Sequence, residues 1–287
     1  MSQAEFLFLR QRPAPPLDGE VESLWIARGR IPYDSERILP TGKVVLIFNL
    51  GAPHAMARGD APDAGWLNRK AWICGQQSGY LLNRPLAETD VVGITFRPAG
   101  AARFLGLPLW ELAERTIEAE QILGARAESL RQRLAETPAP RDRFALLEAF
   151  LIALRRPVPR NRALVGEALR RLLAPEPPPL YAISRDLEVS HKHLIAETRT
   201  LIGLPPKALA RIARFNGALR AFDHGRPVAW ERVALDCGYY DQPHFNREFR
   251  AFAGATPGDY LALRRRHLGP ALNPAEDANF LPLPVAA

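Results

Sequence analysis

The 287 residues are 47% hydrophobic and 24% charged, the proportions of a soluble globular protein, and the length suits two domains of ordinary size. No apolar run reaches the ~18 residues of a membrane span, and the amino terminus has neither the basic region nor the long apolar core of a secretion signal, so a cytoplasmic location without membrane contact is expected. Cys74 and Cys237 stand far apart without C-x-x-C or Cys/His ligand spacing, which speaks against a disulfide framework or a structural zinc.

From the amino terminus the pattern begins with strands. Val44 to Phe48, Ala71 to Cys74 and Val91 to Phe96 are short apolar runs, most of them rich in β-branched residues, and Gly79 to Asn83 is a weaker candidate. Gly/Pro/Asp-rich segments such as Gly51 to Gly65 separate them, as in a small sandwich or barrel. After Pro98, apolar residues recur at three-to-four spacing in Ala99 to Leu105, Pro108 to Arg115, Arg126 to Ala135 and Asp142 to Leu154, and that spacing predicts helices. Residues 1–155 therefore read as an α+β domain, strands first and helices after.

Residues 156–162 are charged, broken by Pro157 and Pro159, and without an apolar face, so they read as a linker. The charge balance shifts here. Between Arg160 and Leu268 there are 18 Lys/Arg against 11 Asp/Glu, while the rest of the chain has 20 of each, so the whole net charge of +7 lies in the carboxyl-terminal part. Five of the six histidines, His191, His193, His224, His244 and His267, lie there too. A basic module beside a neutral one suits neutralisation of phosphates, although a solvated Arg-rich surface would look the same.

Within 163–268 the spacing predicts an all-α domain. Val165, Leu169, Leu172 and Leu173 share one side of a helix that ends before Pro175; Leu180 to Leu187 follows, and a further helix starts at Ser190. Pro206 opens a long connecting helix with Leu209, Ile212, Phe215, Leu219 and Phe222 on its apolar side, running to about Asp223 before Gly225. A short helix from Trp230 carries Val233 and Ala234 and stops at Gly238, where a left-handed residue without a Cβ is wanted. Asp241 and Pro243 then start another helix. Its Phe245, Phe249 and Phe252 fall within about 40° of one another, while Asn246, Arg247 and Arg250 point away and Gln242 sits at the leading end.

That polar edge is either an ordinary solvated helix face or a surface for a major groove, where Gln and Asn can pair with adenine and Arg with guanine. The run G-Y-x-D-x-x-x-F-x-R-x-F-(x)4-G-x-T-P-x-x-Y from Gly238 to Tyr260 resembles the second helix-turn-helix of the AraC family of transcription regulators. The resemblance implies a sequence-specific DNA-binding regulator with two helix-turn-helix units joined by a long helix, with double-stranded DNA and RNA polymerase as partners. It implies base reading by Gln242, Asn246 and Arg247, with His244 and Pro243 on the same leading edge, and a backbone grip by Lys192, Arg199 and Arg250. The first unit matches only in outline: Glu188 stands where the family has Gly, Thr198 where it has an aromatic, and Ala196 where it has a long polar or basic residue. By alignment His191, Lys192, Ile195, Ala196 and Arg199 face the DNA, and only Lys192 and Arg199 are strong donors, so this unit is expected to hold phosphates more than read bases.

Residues 1–155 resemble, in Arg37 to Gly51 and Gly93 to Gly100, an amino-terminal domain found on one group of AraC-like regulators. A sensing or dimerising role is what that resemblance implies, with a small-molecule effector and a homodimer both open. The last helix, from Thr256-Pro257, ends in Arg264, Arg265, Arg266 and His267, either a phosphate contact or a solvated end. The Pro-rich tail 269–287 has no periodic face; its Phe280 to Leu283 could dock on a surface, but an untethered end is expected.

No enzyme is expected. Residues 1–155 contain His54 as their one histidine, too few for an iron or zinc cupin, and no nucleophile elbow, phosphate loop or dinucleotide fingerprint is present, so neither metal nor cofactor is expected. Cys74 and Cys237 lack an activating setting and read as structural thiols. Trp25, Trp66 and Trp72 are core residues or the lining of a ligand cavity. The alternatives kept are a small-molecule-binding protein with a degenerate, weakly specific DNA-binding domain, and an enzyme fused to a DNA-binding module.

Overall fold

A computed structural model describes residues 6–31, 33–59, 65–174, 177–222, 228–267 and 279–283. The amino-terminal part contributes ten strands: β1 (Leu7–Gln11), β2 (Val21–Gly29), β3 (Ser35–Ile38), β4 (Val45–Asn49), β5 (His54–Arg58), β6 (Trp66–Asn68), β7 (Ala71–Cys74), β8 (Leu81–Pro85), β9 (Thr89–Phe96) and β10 (Thr116–Glu118). Its helices are α1 (Ala102–Leu105), α2 (Glu120–Leu123), α3 (Ala125–Glu136) and α4 (Pro140–Leu154). The carboxyl-terminal part adds α5 (Arg162–Leu172), α6 (Leu180–Asp186), α7 (His191–Ile202), α8 (Pro206–Ala221), α9 (Trp230–Asp236), α10 (Gln242–Ala253), α11 (Pro257–His267) and one last strand, β11 (Phe280–Leu283).

The strands form two antiparallel sheets, ordered β1-β2-β9-β4-β7-β10 and β11-β3-β8-β5-β6. Alternation along β4 shows why three layers form. Leu46 and Phe48 point to one side and pack with Val92, Ile94, Phe104, Leu130 and Leu147 beneath α1 to α4. Ile47 points to the other side and clusters with Trp72 and Val91, facing the second sheet. Helices thus cover one face of the first sheet, and the second sheet faces the other.

In the carboxyl-terminal part α8 is the spine. Its Leu209, Ile212, Phe215 and Leu219 are buried with Phe245, Phe249 and Phe252 of α10 and Tyr260 of α11, while Ala168, Ile183 and Leu194 make a smaller core among α5, α6 and α7. Leu39 and Ala99 of the amino-terminal part belong to the α8 core, so the two parts share apolar surface.

Several expectations are corrected. Pro108 to Arg115 is not a helix but a short 3₁₀ turn at Leu109–Glu111. The chain leaves it with Glu114 at φ 59°, whose N–H donates to Gln76 O, and runs on into β10 against β7. The segment Gly51 to Gly65 is more than a spacer, since it holds β5; residues 60–64 lie outside the described residues. The segment 156–162 is held to the amino-terminal part: the Glu20 carboxylate accepts from Arg103 and Arg162 at 2.8 and 2.7 Å, and α5 already begins at Arg162. Burial pushes that carboxyl up, but the two guanidiniums outweigh it and hold it below its ordinary range.

The tail is not untethered. β11 pairs antiparallel with β3, register Phe280↔Ile38 to Leu283↔Ser35. β11 is an edge strand, where the missing donor of Pro282 is tolerable. Arg264 is likewise neither solvated nor free for phosphate: it is fully buried and donates to Phe280 O at 2.6 Å, while Arg265 and Arg266 are exposed. The expected end of the connecting helix at Asp223 to Gly225, with His224, lies outside the described residues, as do the His267 side chain and residues 268–278 and 284–287 of the tail.

Candidate nucleic-acid interface

The α9–α10 unit is built from its turn outward. Gly238 sits at φ 78°, and the N–H groups of Gly238 and Tyr239 donate to Leu235 O and Ala234 O, both at 2.9 Å, closing the carboxyl end of α9. A Cβ there would meet only Arg214 Cδ at 3.7 Å, so the need for glycine is conformational. Asp241 then caps α10, its Oδ1 accepting from His244 N at 2.7 Å, and Pro243 occupies the first turn. Phe245, Phe249 and Phe252 turn inward, with Phe249 and Phe252 centred 5.2 and 5.0 Å from the Phe215 ring.

On the opposite edge Asn246, Arg247 and Arg250 are exposed and their side chains make no hydrogen bond or ion pair among the described residues, and Pro243 is exposed while Gln242 is half-buried. Glu248, the remaining charge of the helix, is committed inward to Arg211 Nε at 2.6 Å. His244 is turned to the protein, its ring edge-on to Tyr239 at 5.5 Å, so it does not join the Asn246–Arg247 edge.

The α6–α7 unit repeats the scaffold. Glu188 takes the left-handed position at φ 56°, Glu188 N and Val189 N donate to Arg185 O and Ser184 O at 3.0 Å, and Ser190 Oγ caps α7 by accepting from His193 N at 3.1 Å. His191, Lys192, Ala196 and Arg199 are exposed on one face with Ile195 half-buried among them. Thr198, where an aromatic is usual, is buried and donates to Leu194 O at 2.8 Å.

Residues 183–263 match the family described as "Helix-turn-helix domain" and residues 9–118 that described as "Domain of unknown function (DUF6597)". The carboxyl-terminal module is an AraC-type helix-turn-helix domain. The chain is accordingly a DNA-binding transcription regulator with a DUF6597 domain in front. No curated protein matches it. Among solved structures, ToxT from Vibrio cholerae at 1.65 Å resolution is similar at 11% identity with a TM-score of 0.47, covering 89% of this chain and 98% of that one. ToxT with a bound unsaturated fatty acid is similar at 10% identity and a TM-score of 0.46, over 91% and 96%. The AraC-like transcriptional activator CuxR is similar at 13% and 0.26, over 66% and 79%.

The AraC-type module adds one candidate that sequence reasoning passed over. Tyr240 precedes the α10 cap and is 86% exposed, which puts a phenolic donor beside the leading end of α10. Its signal was the doubled tyrosine after Gly238, of which only Tyr239 is core.

Both α7 and α10 end against the DUF6597 domain. α7 stops at Gly203, φ 102°, where a Cβ would run into the Gln76 side chain and Leu109 O; α10 stops at Gly254, φ 65°, where a Cβ would come within 2.5 Å of the Tyr80 ring. Arg37 Nη1 donates to Gly254 O at 3.1 Å. On the far side, Asn216 of α8 donates to Pro40 O at 3.0 Å and accepts from Asn279 Nδ2 at 2.7 Å. Behind these contacts, between the two sheets, lies a cavity of about 230 Å³ walled in part by Trp25 and Trp72; Trp66, on β6, is not among its walls. Cys74 also lines it, its thiol pushed up to about 11 by burial.

Among the described residues no group of His, Cys, Asp and Glu is arranged to hold a metal, and no helix is long and apolar enough to cross a membrane.

Proposed function

We propose that the regulator reads bases with α10, through Asn246 and Arg247 and with Gln242 at the leading edge, and grips the DNA backbone with Lys192, Arg199, Arg250 and Tyr240. The observation that carries this is the pairing of a buried phenylalanine face with an edge whose amide and guanidinium donors have no partner among the described residues. Such donors suit the major-groove acceptors of adenine and guanine. α8, with 16 residues, is about 24 Å long, so the two units suit adjacent grooves about 34 Å apart on one face of the duplex.

The DUF6597 domain acts as the sensing part. It abuts the glycine caps of both recognition helices and holds β11, so an occupant of its cavity can alter how the two helices are held relative to each other. Control by dimerisation would work through the same caps. In this reading the protein works in the cytosol, meets RNA polymerase at its promoters, and is no enzyme.

Footprinting of genomic fragments bound by the full chain tests the reading. The expected result is protected sites with one strongly specified half-site and a weakly specified neighbour about one helical turn away. Sequence-blind, wholly salt-governed protection would instead favour a small-molecule-binding protein with a weakly specific DNA module, a reading that Ala196 on the α7 face supports.

A further inference from the structure

The cavity between the sheets is mostly aromatic and aliphatic, with Phe8, Trp25, Met56, Trp72 and Phe280 among its walls. At one place a chain of buried polar groups reaches it. Tyr33 Oη donates to Glu36 Oε2 at 2.8 Å, and Asn83 Nδ2 donates to Glu36 Oε1 at 2.9 Å. With its amide nitrogen committed to Glu36, Asn83 offers Oδ1 to His54 Nδ1, 3.1 Å away. His54 Nδ1 therefore carries the proton and donates, which leaves Nε2 as a bare acceptor. His54 is only 4% exposed and lines the cavity, and its Nε2 has no partner among the described residues. Burial lowers the His54 pKa, against a smaller opposite pull from Asn83, so the ring stays neutral. A buried acceptor left without a donor is unfavourable, and a ligand donor would remove that cost.

The same walls disfavour an anion. Of the two lysine and arginine side chains in the lining, Lys43 is already bound to Glu22 at 2.5 Å and Arg10 lies over the Phe8 ring at 5.2 Å. An ionised carboxylate has no proton to give His54 Nε2 and would have to draw one of these cations from its present contact.

We propose that the cavity binds a neutral, largely aromatic molecule of about two fused rings that donates one O–H or N–H hydrogen bond to His54 Nε2, and that it rejects carboxylic acids. The size follows from comparison with a cavity of about 150 Å³ that holds benzene. The inference rests on the reading of the DUF6597 domain as the sensing part.

Isothermal titration of the full chain with 2-naphthol, 2-methoxynaphthalene and 2-naphthoate near pH 7.5 tests it. Naphthol should bind at least tenfold more tightly than either relative, and His54→Phe should bring naphthol down to the level of methoxynaphthalene. Imidazole ¹⁵N signals of the wild-type protein report the same contact without a variant: the His54 Nε2 signal should move with naphthol and not with methoxynaphthalene. Naphthoate binding as tightly as naphthol, a naphthol preference that survives His54→Phe, an unmoved Nε2 signal at saturation, or no binding of any of the three at millimolar concentration would each overturn the proposal. DNA affinity measured separately keeps the two readings apart: naphthol binding with unchanged DNA affinity upholds the site and contradicts the sensing role.

Discussion

The units α6–α7 and α9–α10 share a backbone and differ in what they show to solvent. In each, a left-handed residue ends the first helix, two N–H groups close the turn, and an oxygen-bearing side chain caps the second helix from three residues back. The α9–α10 turn is one residue longer, the extra residue being the exposed Tyr240. Counting from the caps, Asn246 corresponds to Ile195, Arg247 to Ala196, Gln242 to His191 and Pro243 to Lys192; only Arg250 and Arg199 agree. Buried spacing and caps thus set the scaffold in both units, while the outer faces differ in chemistry.

The largest expected break in this symmetry is in the core. Phe249→Ala removes a ring packed on Phe215, Phe222, Phe245 and Tyr260 and should cost about 3–5 kcal/mol. Thr198→Ala at the corresponding place gives up one hydrogen bond and should cost about 1 kcal/mol. Denaturant melts of the two variants check this, and equal losses would mean that the two positions bear alike on their cores and that this asymmetry does not exist.

Next come the turns. Gly238→Ala forces a Cβ into the left-handed region and should destabilise by about 1–2 kcal/mol, although space is open around it. Loss of the cap in Asp241→Ala should cost about 1 kcal/mol, with Ser190→Ala similar. The smallest effect has the opposite sign: Glu188→Gly relieves a left-handed non-glycine and should gain a few tenths to about 1 kcal/mol in thermal stability. A loss there would show that the Glu188 side chain holds the turn in some other way.

The helical half was legible because 3.6-residue periodicity with glycine, proline and cap signals is local. Phe245, Phe249 and Phe252 give the buried face of α10 from the sequence alone. β3 and β11 were not legible. β3 is four residues long with a buried glutamate, and β11 carries a proline; they pair across some 240 residues of chain. Neither strand has a periodic apolar face, and the register exists only once both are folded. The Glu36–Asn83–His54 relay was hidden for the same reason, since three separate strands bring it together, and His54 in isolation looked like one histidine too few for a metal.

The claim that the polar edge of α10 meets bases is tested most directly by competition binding of Arg247→Ala on a footprinted site and on a scrambled duplex, across a salt series. Specific binding should weaken by roughly 1–3 kcal/mol with relaxed preference at one base pair and little change on scrambled DNA, whereas Arg250→Ala should weaken both alike and lower the salt slope by about one. Equal losses for Arg247→Ala on both duplexes would contradict the account.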